Sequence, residues 1–427
     1  MTVRYIGLFA ALFALIVFVG VMMGTPFTVR LMVEAFAFAL IAMGLNIQWG
    51  FGGLFNFGIL GMLMVGGFAV TFVSFPVNMA FWESEGPALL GLTAVAAGIG
   101  AVLIFLAHRV QRFGIRGKWR GAVIVVAWFA AYVIFRTQMD PAANTITSTA
   151  GWVGGLGLPV ILGWAFGGVL AGLIGFLVGK VSLGLRADYL AIATIGIAEI
   201  LRAVIRNMEW LTRGTLTVSP IPWPVPNPQY YQAQGASIAD SFVYARGGYL
   251  ALVVAIVIVA LFLIHRAYQG PWGRMMRAIR DNHISAASMG KDVTGRQLEI
   301  FVFGSVLMGI GGAILVSFVG IYDPSSYQPI NHTFIIWVML IVGGAGNNFG
   351  ALFGGLFIYI VWMLSEQLAT ALFGTLSNWS SAMGWGEIPD IETRAVQMRI
   401  FVLGLVVTIA LRFAPKGLLP ENIKARD

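Results

Sequence analysis

Glu199, Arg202 and Arg206 recur at spacings of three and four residues inside the apolar stretch RADYLAIATIGIAEILRAVIRN. On a helix that spacing puts them on one stripe, where Glu199 can pair with Arg202 while Arg206 extends toward water. A charge at the centre of a membrane helix costs about 2.5–3.5 kcal/mol on insertion scales, so such a group is kept for a reason. Two reasons fit: the stripe lines a polar pathway that meets a zwitterionic solute, or it is a self-neutralised pair that orients a helix. Asn46, Gln48, Asn56 and Glu34 are further polar residues within apolar runs, each able to line such a pathway or to bond one helix to another.

Catalytic chemistry is not in view. No HExxH, GxSxG or GxGxxG occurs, and Gly117-Lys118, Gly179-Lys180 and Gly290-Lys291 are followed by Trp, Val and Asp rather than the Ser or Thr of a phosphate-binding loop. The chain is therefore expected to be no enzyme and to hold no ATP by that route. Its lack of cysteine excludes disulfides and thiolate metal sites, and His108, His265, His283 and His332 lie in separate segments, so no metal site or cofactor is expected. A proton-coupled carrier would place an unpaired Asp, Glu or His deep in a helix, and none stands out.

The polar stretch Gly270–Arg296, GPWGRMMRAIRDNHISAASMGKDVTGR, interrupts two long apolar runs. It carries Arg274, Arg277, Arg280, Lys291 and Arg296 against Asp281 and Asp292, which places it on the cytoplasmic side of a membrane. Asn282 suits a helix N-cap and Gly290 a left-handed stop. Between them, Ile284, Ala286, Ala287 and Met289 give a short helix of small and apolar residues. From the residues alone this is either a solvated basic loop or a helix that seats in another protein's groove.

These features belong to an all-α polytopic membrane protein. Of the 427 residues 59% are hydrophobic and 10% charged, with mean hydropathy +0.86. At about 20 residues per span the chain has room for about 10–12 transmembrane helices in a single transmembrane domain. Apolar segments fall at 5–23, 31–49, 55–74, 88–107, 121–136, 158–178, 188–207, 249–266, 298–319, 333–346, 350–372 and 396–412. The segment 333–346 is short enough to be re-entrant together with 350–372. Arg4 and the run after it read as an uncleaved first helix. With 270–296 inside, both termini, 108–120, 179–187 and 343–349 are also cytoplasmic; Glu83, Glu85, Asp140, Glu209, Asp240, Asp323, Glu387, Asp390 and Glu392 fall on the opposite face. The net charge of +8 speaks to orientation and anionic lipid, since no nucleic-acid-binding module is present.

Outer segments 137–157, 208–248 and 376–394 are too long for turns. The second contains SPIPWPVPNP, whose prolines favour extended backbone over helix and suit either a partner contact or a stiff spacer. Gly168, Gly172, Gly175 and Gly179 share a helix face, an invitation to close approach by another helix. Asn56-Phe57-Gly58 and Asn348-Phe349-Gly350 form a faint internal echo.

Taken together, LRADYLAIATIGIAEILRAV, GRMMRAIRDNHISAASMG, IVGGAGNNFGALFGGL, GLNIQWGFGGLFNFGILGMLMVGGFA and RFAPKGLLPE resemble the LivM-type permease subunit of branched-chain amino acid ABC importers, over most of 36–75 and 160–420. The resemblance implies a half-channel in the bacterial inner membrane, paired with a LivH-type permease. It further implies two ABC ATPase subunits that bind the ATP and a periplasmic solute-binding protein that delivers solute. Arg280, Asn282, Ile284, Ala286, Ala287, Met289 and Gly290 would then be the ATPase-coupling element. Ala286-Ala287 followed by Gly290 resembles a reduced form of the motif ABC permeases share, with Ser285 where the fuller motif has Glu. Asn46, Asn56, Glu199 and Arg202 would be candidates for the translocation path. The chain departs from the family pattern at 108–157, an expected insertion. The same fold importing urea or short amides is one alternative; an ion-coupled secondary transporter is another.

Overall fold

The computed structural model describes residues 2–110, 118–386 and 389–421. Residues 111–117 of the loop 108–120, Glu387 and the tail after 421, all parts of the orientation reading above, lie outside them. Helices follow in the order α1 (Thr2–Met23), α2 (Thr25–Leu45), α3 (Ile59–Ser74), α4 (Met79–Trp82), α5 (Gly86–Arg109), α6 (Lys118–Thr149), α7 (Val160–Ser182), α8 (Ala187–Asn207) and α9 (Glu209–Thr212). Then come α10 (Pro228–Ala233), α11 (Ile238–Gln269), α12 (Pro271–Asp281), α13 (His283–Ser288), α14 (Val293–Val319), α15 (Ile335–Gly343), α16 (Asn348–Ala382) and α17 (Ile391–Phe413). The protein is an all-α polytopic membrane protein: nine helices among the described residues are long and apolar enough to cross a bilayer. Helix α8 matches them in length with 21 residues but carries Asp188, Glu199, Arg202 and Arg206.

Two apolar segments are too short to span. Helix α3 has 16 residues and α15 has 9; at ~1.5 Å rise per residue they reach ~24 Å and ~14 Å, against ~30 Å of hydrocarbon. Each follows a π-helical segment. Helix α2 runs on as a π-helical segment, Asn46–Phe51, and the chain then crosses 52–58 without helix before α3. A second π-helical turn, Ile330–Phe334, precedes α15. Irregular backbone at such depth is tolerated only where protein covers it, and Gly52, Leu54, Asn56 and Gly58 are all buried.

Helix α14 is the hub, packed against α2, α3 and α7. Gly168, Gly172, Gly175 and Gly179 of α7 do form one face, and α14 fills it: a Cβ on them would meet Ile310, Val306, Ser305 and Leu298 respectively. In return Gly309 and Gly312 of α14 lie against the backbones of Gly167 and Leu63. Without side chains between them, helices gain dispersion contacts that lipid cannot supply. Helices α11 and α16 close on α2, and α17 lies on α16 with Arg399 paired to Glu366. Helices α5 and α6 pack on each other and reach the remainder through α4, α9 and a small cluster of Phe81, Ile146 and Val153.

Several helices outrun their apolar segments. Helix α6 continues to Thr149 across Pro141, α16 continues to Ala382, and α11 starts at Ile238 rather than near 249. Ser237 starts α11 as an N-cap, its side chain accepting from Asp240 N at 3.1 Å. The proline-rich outer stretch folds back rather than projecting: Val218 pairs with Tyr322, Ile221 N donates to Gly320 O, and Trp223 stacks on Phe318 at 5.6 Å.

Candidate coupling and translocation sites

Helix α12 begins at Pro271, whose ring suits a first helical turn, and it buries Gly273, Met276 and Ile279 along one face. At Asn282 the backbone turns extended, and its side chain accepts from Ser285 N at 2.9 Å, capping α13. Gly290, at φ 75, ends the element in the left-handed region that glycine occupies without strain. Both local expectations thus match the geometry. The outer face of α13 is apolar and uncovered: Ile284 is 67% and Met289 80% exposed, and Ala287 lies exposed between them. Ala286 points the other way and is buried. Arg280 also turns inward: its Nη1 donates to the Gly50 carbonyl (2.6 Å) and pairs with Glu421 Oε2 (2.9 Å). Burial disfavours the Arg280 charge, but Glu421, Tyr268 and Asp281 together offset this and hold its pKa above the usual value.

Beneath this loop lies a chain of buried amides at the end of α2. Asn46 donates to Asn348 Oδ1 (3.1 Å) and accepts from Gly346 N (2.8 Å). Gln48 Nε2 donates to Phe301 O (2.8 Å), while its Oε1 accepts from Asn56 Nδ2 (2.8 Å). Asn56 Oδ1 in turn accepts from Gly58 N (2.7 Å). Asn46, Gln48 and Asn56 are fully buried. Left unbonded there, each amide would cost about 1–3 kcal/mol, so the network holds the broken backbone in one arrangement. The echo between Asn56 and Asn348 takes a specific form: the two are joined through Gln48 and Asn46 of one helix end. The turn-forming role of Asn56 falls in the second copy on Asn347, whose Oδ1 accepts from Phe349 N (3.0 Å).

Glu199 and Arg202 do pair, at 2.9 Å, and Arg202 Nη1 also donates to Tyr327 O at 2.9 Å, which ties α8 to the segment before α15. Glu199 borders a cavity of about 160 Å³ with Phe57, Leu60, Ile195, Thr333 and Phe334. Next to it stands an aromatic stack that the sequence reading did not single out: Trp337 lies between Phe57 (4.7 Å) and Phe55 (5.8 Å), both at 14° between planes, with Trp49 4.8 Å away. The Trp337 indole donates to Asn56 O (3.1 Å), so amide network and stack share a residue. The signal available for it was GFGG at 50–53, a helix-breaking run that brings the aromatic-rich 55–57 back toward α15. Glu34 is bonded to Tyr359 and Arg30 on the far half of α2.

The Tyr5 hydroxyl accepts from Asn347 Nδ2 (2.6 Å), and Asn347 also donates to Leu419 O (3.0 Å). The chain start, the turn 344–347 and the tail therefore meet at the end of the molecule that carries α12 and α13.

A family model described as branched-chain amino acid transport system / permease component matches residues 120–411, about two thirds of the chain. A probable branched-chain amino acid transport permease protein LivM of Methanocaldococcus jannaschii is 23% identical over 388 residues, 90% of each chain. The high-affinity branched-chain amino acid transport system permease proteins LivM of Salmonella typhimurium and Escherichia coli K12 are 28% and 29% identical over 189 residues, covering 42% of this chain and 44% of each relative. No solved structure matches.

Proposed function

The chain belongs to the family of permease components of branched-chain amino acid transport systems, and on that premise we propose that it is the LivM-type half of an ATP-driven importer in the cytoplasmic membrane of a bacterial cell. It works with other subunits: a LivH-type permease as its heterodimer partner, two ABC ATPases that bind the ATP, and a periplasmic solute-binding protein. The observation that carries the reading is α13, a capped helix whose Ile284, Ala287 and Met289 stand uncovered on a basic loop in a chain without a phosphate-binding loop of its own. A small apolar tip on a loop that exposes Arg274 and Lys291 is chemistry suited to an ATPase groove, with the apolar residues as anchors and the charges around them. This loop then lies in the cytoplasm, and with it both termini and the turn 344–347.

Solute passes along the face bearing Glu199, Phe57 and the Trp337 stack, between this subunit and its partner. There the carboxylate suits an ammonium group and the rings suit an aliphatic side chain. Asn46 and Asn56 frame the path by holding the broken helix, and Arg202 fixes its outer edge. The stretch 108–157, which holds α6, is an addition to the family scaffold and packs on α5.

Uptake by the co-expressed importer in proteoliposomes tests this. Leucine, isoleucine and valine should compete with one another, and ATP inside should be required. Competition by urea but not leucine would move the solute to short amides. Uptake by this chain alone, abolished by an uncoupler and indifferent to ATP, would make it an ion-coupled carrier.

A further inference from the structure

Arg280 is the last basic residue of α12, immediately before the chain turns into α13, yet none of its contacts serves the docking tip. Among the described residues its polar partners are Gly50 O, Glu421 and, at 3.3 Å, its neighbour Asp281. Glu421 is itself held from a third side, since Oε1 accepts from the Tyr268 hydroxyl at 2.5 Å. Tyr268 stacks flat on Phe51, with centroids 3.7 Å apart, and the Arg277 guanidinium lies 4.8 Å from the same ring. The turn 344–347 seats beneath: a Cβ on Gly346 would lie 2.8 Å from Glu421 Oε2 and 3.2 Å from Arg280 Nη1. One guanidinium thus joins the docking loop, the end of α2, the turn before α16 and the tail.

What it grips matters. The last carbonyls of a helix lack donors within the helix, and Arg280 supplies one to Gly50 in the π-helical segment Asn46–Phe51. A π turn holds one more residue per hydrogen-bonded ring than an α turn and marks functional sites more often than chance. The same segment contributes Asn46 and Gln48, and through Asn56 it reaches Trp337 and Phe57 at the cavity beside Glu199. From Arg280 the path to that cavity runs through the Gly50 bond, the backbone of the π-helical segment, the Gln48–Asn56 and Asn56–Trp337 hydrogen bonds and the Trp337–Phe57 stack; α13 joins it through the chain at 281–282.

We propose that Arg280 is the positioning residue that converts displacement of α13 into movement of the π-helical end of α2, and so couples ATPase motion to the solute cavity. The inference rests on α13 being the ATPase-docking element. Nη1 alone serves the Gly50 carbonyl and the Glu421 carboxylate, and the planar guanidinium fixes the directions of its two N–H bonds, which a freely rotating ammonium does less well.

The test uses the complete importer, reconstituted with its ATPases and binding protein, and reads ATP hydrolysed per solute imported. In R280A the ATPases stay bound and hydrolysis persists while uptake falls, so the ratio rises about tenfold, inside the 5–150-fold range of typical coupling free energies. E421Q, which keeps the Gly50 bond, gives a smaller rise, and R280K recovers part of the loss. Should R280A not assemble, the graded effect of E421Q and R280K on the ratio carries the test. An unchanged ratio in these variants, with uptake and hydrolysis falling together, overturns the proposal. Failure of the unmodified chain to retain any ATPase would instead remove the docking reading on which it stands.

Discussion

Around α14, helices meet through glycine backbones on several sides at once; in the α5–α6 pair, Gly100 meets Ala131 on one side and the remaining faces are open. Of the most apolar window of α14, 67% is buried, against 17% for α5 and 11% for α6. Both regions use small residues to bring helices close, and both are apolar enough to live in lipid. The difference lies in how many neighbours each helix has. A side chain added around α14 has nowhere to go, whereas one added to the pair displaces lipid. Among the described residues, the groups proposed to act on a solute or an ATPase stand outside the pair.

Paired substitutions in the two regions separate tight from open packing. Gly66→Leu places its Cβ on the backbone of Gly309, while Gly98 has nothing within 4 Å. Because backbone cannot yield as a side chain can, the loss should exceed the ~1–3 kcal/mol of ordinary overpacking, and G66L should give little monodisperse protein. G98L should stay within ~0.5 kcal/mol of the unmodified chain by thermal unfolding. Equal losses in the two would end the distinction. For polar groups, Asn46→Leu strips partners from Gly346 N and Asn348, at about 1–3 kcal/mol each, and should lower the melting temperature clearly. Thr147→Ala in α6 removes only an exposed bond to Ala143 O and should leave it unchanged. A small effect is expected even from the largest change: replacing 91–144 by a short flexible linker should leave uptake within about twofold, an effect of ~0.5 kcal/mol or less. A loss of uptake with assembly intact would give the α5–α6 pair a part in transport.

What was legible in the sequence was local. Asn282 and Gly290 bound α13 because capping is decided by a few adjacent residues, and the glycines of α7 announced a close neighbour without saying which. Helix ends were less legible, since a helix that leaves the hydrocarbon keeps its hydrogen bonds but loses its apolar signature, as in α6, α11 and α16. The inward turn of Arg280 was not readable: Gly50 is 230 positions away, and nothing near Arg280 distinguishes a rim charge from an anchor. Asn46 and Asn56 were visible as costly polar residues, but whether an amide faces a path or another amide depends on contacts such as Asn46 to Asn348. The Trp337 stack went unseen because aromatic residues in apolar runs look like any other core.

On the proposed reading, α13 seats in an ATPase. The most direct measurement is purification of the chain co-expressed with its genomic neighbours, scoring the ATPase subunits retained by the unmodified chain and by Ala287→Arg. A guanidinium buried in an apolar groove without a partner costs about 3–5 kcal/mol, enough to weaken binding more than 100-fold. The account predicts that the ATPases remain with the unmodified chain and are lost from A287R while the second permease is kept. Full retention of the ATPases by A287R would contradict it.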